Sequence, residues 1–129
     1  MFENAINSKK QGDIGMCYAM AYYSKLGWTI SVPITDSQDY DLIVDTGTNL
    51  LKVQVKTTSY EEYPGIYQAF LKVSGGNSGK TIKTFDKNDC NLLFVLTSNG
   101  DCYSIPRIEI TSKNSINLGD KYLLYKVSI

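Results

Sequence analysis

The sequence predicts an α/β (α+β) domain in which a mixed sheet carries one long N-terminal helix. Three observations predict it. The first 26 residues hold apolar side chains at helical spacing, residues 40–56 alternate with the two-residue period of strands, and residues 91–97 form a continuous apolar run. A chain of 129 residues fits one domain, spanning 1–129, around one core.

The helix is predicted first. Ser8-Lys9-Lys10-Gln11 has the form of a capping box. Ile14, Cys17, Tyr18, Ala21, Tyr22 and Leu26 follow as an apolar stripe, with Met16, Met20 and Tyr23 as a second one, and Gly27 as a natural stop. Gly12 and Gly15 in the first turns suggest close approach of another backbone or a phosphate, because glycine otherwise weakens a helix. Residues 28–33 (WTISVP) read as a strand ending at its proline, and 35–39 as a polar loop.

Next comes YDLIVDTGTNLLKVQVK, residues 40–56. Two strand-like runs flank Thr46-Gly47-Thr48-Asn49, the pattern of a β-hairpin. Alternation puts Leu51, Val53 and Val55 on one face and Lys52, Gln54 and Lys56 on the other. Asp41, Ile43 and Asp45 share a face of the first run, so Asp41 meets Gln54 and Lys56 if the register allows. An acid, an amide oxygen and an ammonium converging there can hold a divalent cation beside a phosphate. A half-exposed antiparallel strand with one wet face shows the same pattern, and the motif alone does not separate the two.

Residues 60–64 read as a loop and 66–73 as a strand. Ser74–Thr81 (SGGNSGKT) is one residue short of a phosphate-binding loop, since Ser74 stands where the first glycine belongs. The β-branched residues after it are unlike a phosphate-receiving helix, so a surface loop is expected there and nucleotide binding is not. Lys80, Lys83 and Lys87 make it locally basic. With Lys9 and Lys10, Lys80 and Lys83 are candidate contacts to a DNA backbone. Residues 85–90 read as a helical turn, 91–97 as a strand buried on both faces, Asn99-Gly100 as a tight turn, 101–105 as a strand, 106–110 as a short helix or turn, and 121–128 as a last strand.

Composition narrows the chemistry. Thirteen basic and thirteen acidic residues cancel, which argues against a purely electrostatic nucleic-acid binder. The N-terminus lacks the apolar core of a signal peptide, no run is long enough to span a membrane, and three scattered cysteines point to a reducing, cytoplasmic compartment (a host-cell cytoplasm if phage-encoded). Histidine is absent, which removes His-ligated zinc and His-based triads. Hydrolytic chemistry here rests on carboxylates, lysine and hard cations.

The ordered set Gln11-Gly12-Asp13-Ile14-Gly15, a helix, Gly27-Trp28, Val32-Pro33, Tyr40-Asp41-Leu42 and Val53-Gln54-Val55-Lys56 resembles the PD-(D/E)xK nuclease superfamily. It is most similar to the small branch in which glutamine replaces the second acid (D…QxK), a branch that includes an intron-encoded homing endonuclease, and it is similar to archaeal-type Holliday junction resolvases. The likeness is strongest from about residue 9 to 58, and Tyr103-Ser104-Ile105-Pro106 extends it weakly. The resemblance implies a restriction-endonuclease-like core and Mg²⁺-dependent endonuclease action on duplex or branched DNA, with Mn²⁺ as a substitute ion and a homodimer or homotetramer as the working unit. It implies that Asp41 binds the metal, that Gln54 and the backbone carbonyl of Val55 add oxygen ligands, and that Lys56 positions the attacking water and stabilises phosphate charge. One position departs. Related enzymes carry a glutamate where Met16 stands, and a thioether avoids a hard cation. Asp13, one turn earlier, is the candidate replacement, and Asp45 shares the strand face of Asp41. The alternative is a catalytically silent nuclease-fold protein that binds DNA or a partner subunit.

Overall fold

The computed structural model describes residues 1–71, 73–75, 81–83 and 89–129, with side chains described outside 72–88. One helix, α1 (Ser8–Lys25), is followed by β1 (Thr29–Ser31), β2 (Leu42–Asp45), β3 (Leu50–Thr58), β4 (Glu61–Tyr63), β5 (Ile66–Phe70), β6 (Val73–Gly75), β7 (Thr81–Lys83), β8 (Leu92–Thr97), β9 (Cys102–Pro106), β10 (Ser115–Asn117) and β11 (Lys126–Val127). A six-stranded sheet runs in the order β1-β2-β3-β8-β9-β11, and β10-β5-β4 form a smaller one. Within the large sheet only β3 and β8 are parallel. It is therefore mixed, as the sequence predicts.

The layers follow from side-chain alternation. Val53, Leu42, Val44, Phe94 and Leu96 pack under Ala19 and Tyr23 of α1. Leu93, Val95, Tyr103 and Ile105 point the other way, against Tyr67 and Ala69 of β5 and Ile116 of β10. The large sheet is thus sandwiched between one helix and one small sheet, and β8 is buried on both faces (Leu93 to Thr97 throughout), as its apolar run predicts.

Several expectations need correcting. The cap of α1 is Asn7, one residue before the predicted Ser8, and its side chain accepts from the Lys10 N–H at 2.9 Å. Asparagine serves this role as well as serine. The buried helix positions are Gly15, Ala19 and Tyr23, whereas Cys17, Ala21 and Leu26 of the predicted stripe are exposed. Small residues let the helix settle close to the sheet, and the larger apolar side chains flank that line of contact. The predicted 28–33 strand is shorter, and the 66–73 strand stops at Phe70 before β6 begins. Residues 61–63, expected in a loop, form β4, turned into β5 through Gly65 at φ +79°. Most of the predicted C-terminal strand is a 3-10 helix, Asp120–Tyr125, leaving only β11 extended, and β10 had no counterpart in the sequence reading. The Thr46–Asn49 hairpin loop, the Gly27 stop (φ +82°), the Asn99-Gly100 turn (φ +91°) and a short helix at 107–109 all occur. Residues 85–88 of the predicted helical turn and 76–80 of SGGNSGKT lie outside the described residues, and Asp89 and Cys90 are not helical.

Candidate active site

The site is built where β2 stops and β3 continues. Pairing between them ends at Leu42 and Val53, and β3 runs on to Thr58 against β8. Asp41 stands one step past the last pair, opposite Gln54, with its N–H donating to the Val53 carbonyl at 2.8 Å. Its carboxylate then takes over from the missing strand: Asp41 Oδ2 accepts the Val55 N–H at 2.7 Å. In a strand a residue's N–H and C=O point to the same edge, and that edge alternates along the chain. The Val55 carbonyl is therefore directed at the edge β2 has vacated, beside Asp41.

Gln54 and Lys56 alternate onto the face away from α1. Gln54 Oε1 is buried and accepts no hydrogen bond among the described residues, and an amide oxygen left so costs about 1–3 kcal/mol. Burial lowers the Lys56 ammonium's pKa, opposed by the charge of Asp41 and by Cys90. Burial raises the Asp41 carboxyl's pKa, opposed by the Val55 hydrogen bond and by Lys56. Each group therefore carries the other's counter-charge in a partly desolvated corner, and both are costly to hold ionised there. Cys90, beside the main-chain N–H of Gln54, borders the site, and burial pushes its thiol up to about 11. No local sequence signal announced it.

The rest of the predicted set is dispersed. Asp13 is exposed, 3.9 Å from Lys10 Nζ, one helical turn back. Asp45 closes the hairpin turn instead, accepting the Gly47 N–H at 2.8 Å. Met16 is half-buried against the apolar cluster under α1. Lys9 and Lys10 are exposed on the first helical turn, and Lys80 and the side chain of Lys83 lie outside the described residues. Among the described residues no cluster of three or more acidic, cysteine or histidine side chains is poised for a metal. The oxygens carried at this end of β2 and β3, the Asp41 carboxylate, the Gln54 amide and the Val55 carbonyl, are all hard donors. That set fits a hard cation that keeps part of its water shell, and it does not fit a soft one.

The helix braces this corner from behind. Gln11 Nε2 donates to Thr57 Oγ1 at 2.9 Å. A Cβ on Gly15 would lie 2.5 Å from Thr57 Cγ2 and 3.3 Å from Val55 Cγ1. Of the two glycines expected to permit a close approach, Gly15 does so, against side chains of the strand that carries the site, whereas Gly12 has nothing within 4 Å of its would-be Cβ.

A family model described as PD-(D/E)XK endonuclease matches residues 6–121. Among solved structures the chain is similar to a bacterial homing endonuclease, I-Ssp6803I, with a TM-score of 0.73 and 27% identity over 88% of this chain and 79% of that one. The fold is accordingly restriction-endonuclease-like. No curated protein matches the chain.

Proposed function

Because the chain belongs to the PD-(D/E)XK endonuclease family, we propose that it hydrolyses phosphodiester bonds of DNA at the Asp41–Gln54–Lys56 corner with a divalent cation, Mg²⁺ or in its place Mn²⁺. The observation that carries this reading is the buried Gln54 Oε1, which accepts no hydrogen bond among the described residues and lies on the strand two residues before the Lys56 whose charge acts on Asp41. Asp41, Gln54 Oε1 and the Val55 carbonyl would hold the ion. When bound, it would supply Lewis acidity to the scissile phosphate.

The remaining work falls to the chain. The Val55 N–H fixes one carboxylate oxygen of Asp41, which leaves the other to be offered outward. Lys56 orients the attacking water and places positive charge where the phosphate gains negative charge as the new P–O bond forms and the old one breaks. Its lowered pKa loosens its hold on the proton, which suits a group that trades hydrogen bonds with water during that step.

Cutting both strands of a duplex calls for two such sites, so a homodimer or homotetramer is the working unit. Homing-type cleavage of duplex DNA and resolution of branched DNA remain the two substrate classes, and a cytoplasmic location goes with either. The experiment offers duplex and four-way-junction DNA with Mg²⁺ or Mn²⁺. Lys56→Ala is expected to lower the cleavage rate at least 100-fold (~10²–10³ for a charge-stabilising group). Cleavage unaffected by that substitution sinks the assignment.

A second reading is a silent family member that binds DNA without cutting it. Met16 favours it, being packed in apolar surroundings at the position where relatives carry an acid, while Asp13 is engaged by Lys10. It predicts gel-shifted DNA without cleavage, and gain of cleavage in Met16→Glu.

A further inference from the structure

Among the described residues, Lys56 projects from a stretch of β3 that is paired on one edge only. Pairing with β2 ends at Val53, while β3 stays beside β8 as far as Thr58, with Lys56 opposite Val95. Peptide groups alternate between the two edges of a strand, and Asp41 meets those of Val53 and Val55 on the β2 side. By the same alternation the peptide groups of Thr57 face the edge that β2 has left. A strand segment with one paired edge opens more readily than one with two.

Side chains from other elements hold it there, one on either flank of Lys56. On one flank the Asp41 carboxylate accepts the Val55 N–H at 2.7 Å. On the other, Gln11 Nε2 donates to Thr57 Oγ1 at 2.9 Å. The second branch of Thr57 meets the same helix, since Cγ2 lies against Gly15, one turn after Gln11. A β-branched side chain is stiff at χ1, so contacts to both branches fix the main chain beneath it. Gln11 is itself anchored, because its N–H donates at 3.1 Å to the carbonyl of Asn7, the cap of α1.

We propose that Gln11 is a positioning residue for Lys56: through Thr57 it sets the place of β3 at the open edge, and so the reach of Lys56 to the scissile phosphate. This rests on the nuclease reading above. In that reading Gln11 acts through Thr57 on the helix side of β3, and Lys56 meets the phosphate from the opposite face.

The test compares Gln11→Met, Thr57→Val, their double variant and Thr57→Ser at a temperature where denaturation curves show each one folded. Gln11→Met and Thr57→Val keep the shape and remove the hydrogen bond from either end. In steady-state cleavage with Mg²⁺, each is expected to lower kcat about tenfold and to leave KM within about twofold. The double variant is expected to be no slower than either single one, because both remove the same contact. Thr57→Ser keeps the hydroxyl and with it most of kcat. Amide hydrogen exchange reads the same geometry without cleavage. In Gln11→Met the Val55 and Lys56 amides are expected to exchange about tenfold faster, and that of Leu51, still paired with Val44, at the wild-type rate. Losses that multiply in the double variant, a loss confined to KM, or unchanged exchange at Val55 and Lys56 overturns the proposal. If Lys56→Ala cleaves like wild type while Gln11→Met speeds that exchange, the catalytic assignment of Lys56 fails and the anchoring of β3 by Gln11 stands.

Discussion

Asp41 pays for its position in the absence of metal. Its carboxyl titrates above the ordinary value of 3.8 because burial outweighs the Val55 hydrogen bond and the Lys56 charge. A carboxyl with a raised folded-state pKa carries no penalty below its unfolded pKa, where both states are protonated. The penalty grows as pH rises through the folded pKa and is complete above it. Asp41→Asn mimics the protonated form. In EDTA at neutral pH this variant is expected to melt above wild type, and the gap should close as pH falls toward about 4. Divalent cation reverses the order, since only wild type gains binding energy, about 2.7 kcal/mol at 100 times Kd. Thermal melts at two pH values, with EDTA and with Mg²⁺, check this; an Asp41→Asn protein less stable than wild type in EDTA at pH 7 contradicts it. The sequence placed this residue with Gln54 and Lys56 only on condition of the hairpin register, and its alternation alone fits an ordinary half-exposed strand. It did not show that Asp13 and Asp45 were already engaged, because a lysine one turn back and a turn N–H compete for them only in three dimensions.

Among the elements, α1 teaches the most about what patterns miss. A search for large apolar side chains found the flanks of the helix and passed over its contact line, Gly15 and Ala19, where small size is the functional property. At Gly15 an added Cβ meets Thr57 Cγ2 at 2.5 Å, and Thr57 is β-branched and tied to Gln11, so it cannot swing aside. Gly15→Ala should therefore destabilise the fold by about 1–3 kcal/mol and slow cleavage as β3 is displaced. Gly12, with nothing within 4 Å of its would-be Cβ, gives the control. Gly12→Ala should be neutral or stabilise by up to about 1 kcal/mol through helix propensity. Chemical denaturation of both variants separates close packing from propensity. The short strands β4 and β10 escaped for a different reason. Each is three residues long, β4 wholly exposed and β10 with Ile116 alone buried, too short to show a period, and their extended form is dictated by pairing with β5.

For the whole molecule, one helix and one mixed sheet were recoverable because long strands and buried runs carry their own periodicity, though neither strand specified the parallel pairing of β3 with β8. The second layer was not, since it exists only once β5 and β10 fold over the apolar face of β8 and β9. That layer packs on the same face of the large sheet as Gln54 and Lys56, which β3 pairs with Leu93 and Val95. A homodimer with paired sites should convert supercoiled plasmid to linear product with little accumulation of nicked circles. Agarose gels of a time course read this directly, and persistent nicked circles as the main product would mean single sites acting alone.

The early end of β2 has an evolutionary corollary. On the proposed reading, part of the grip on an incoming ion would come from the peptide groups of Val55, and peptide groups do not mutate. On that reading, a substitution at a side-chain ligand would leave the main-chain share of the site in place.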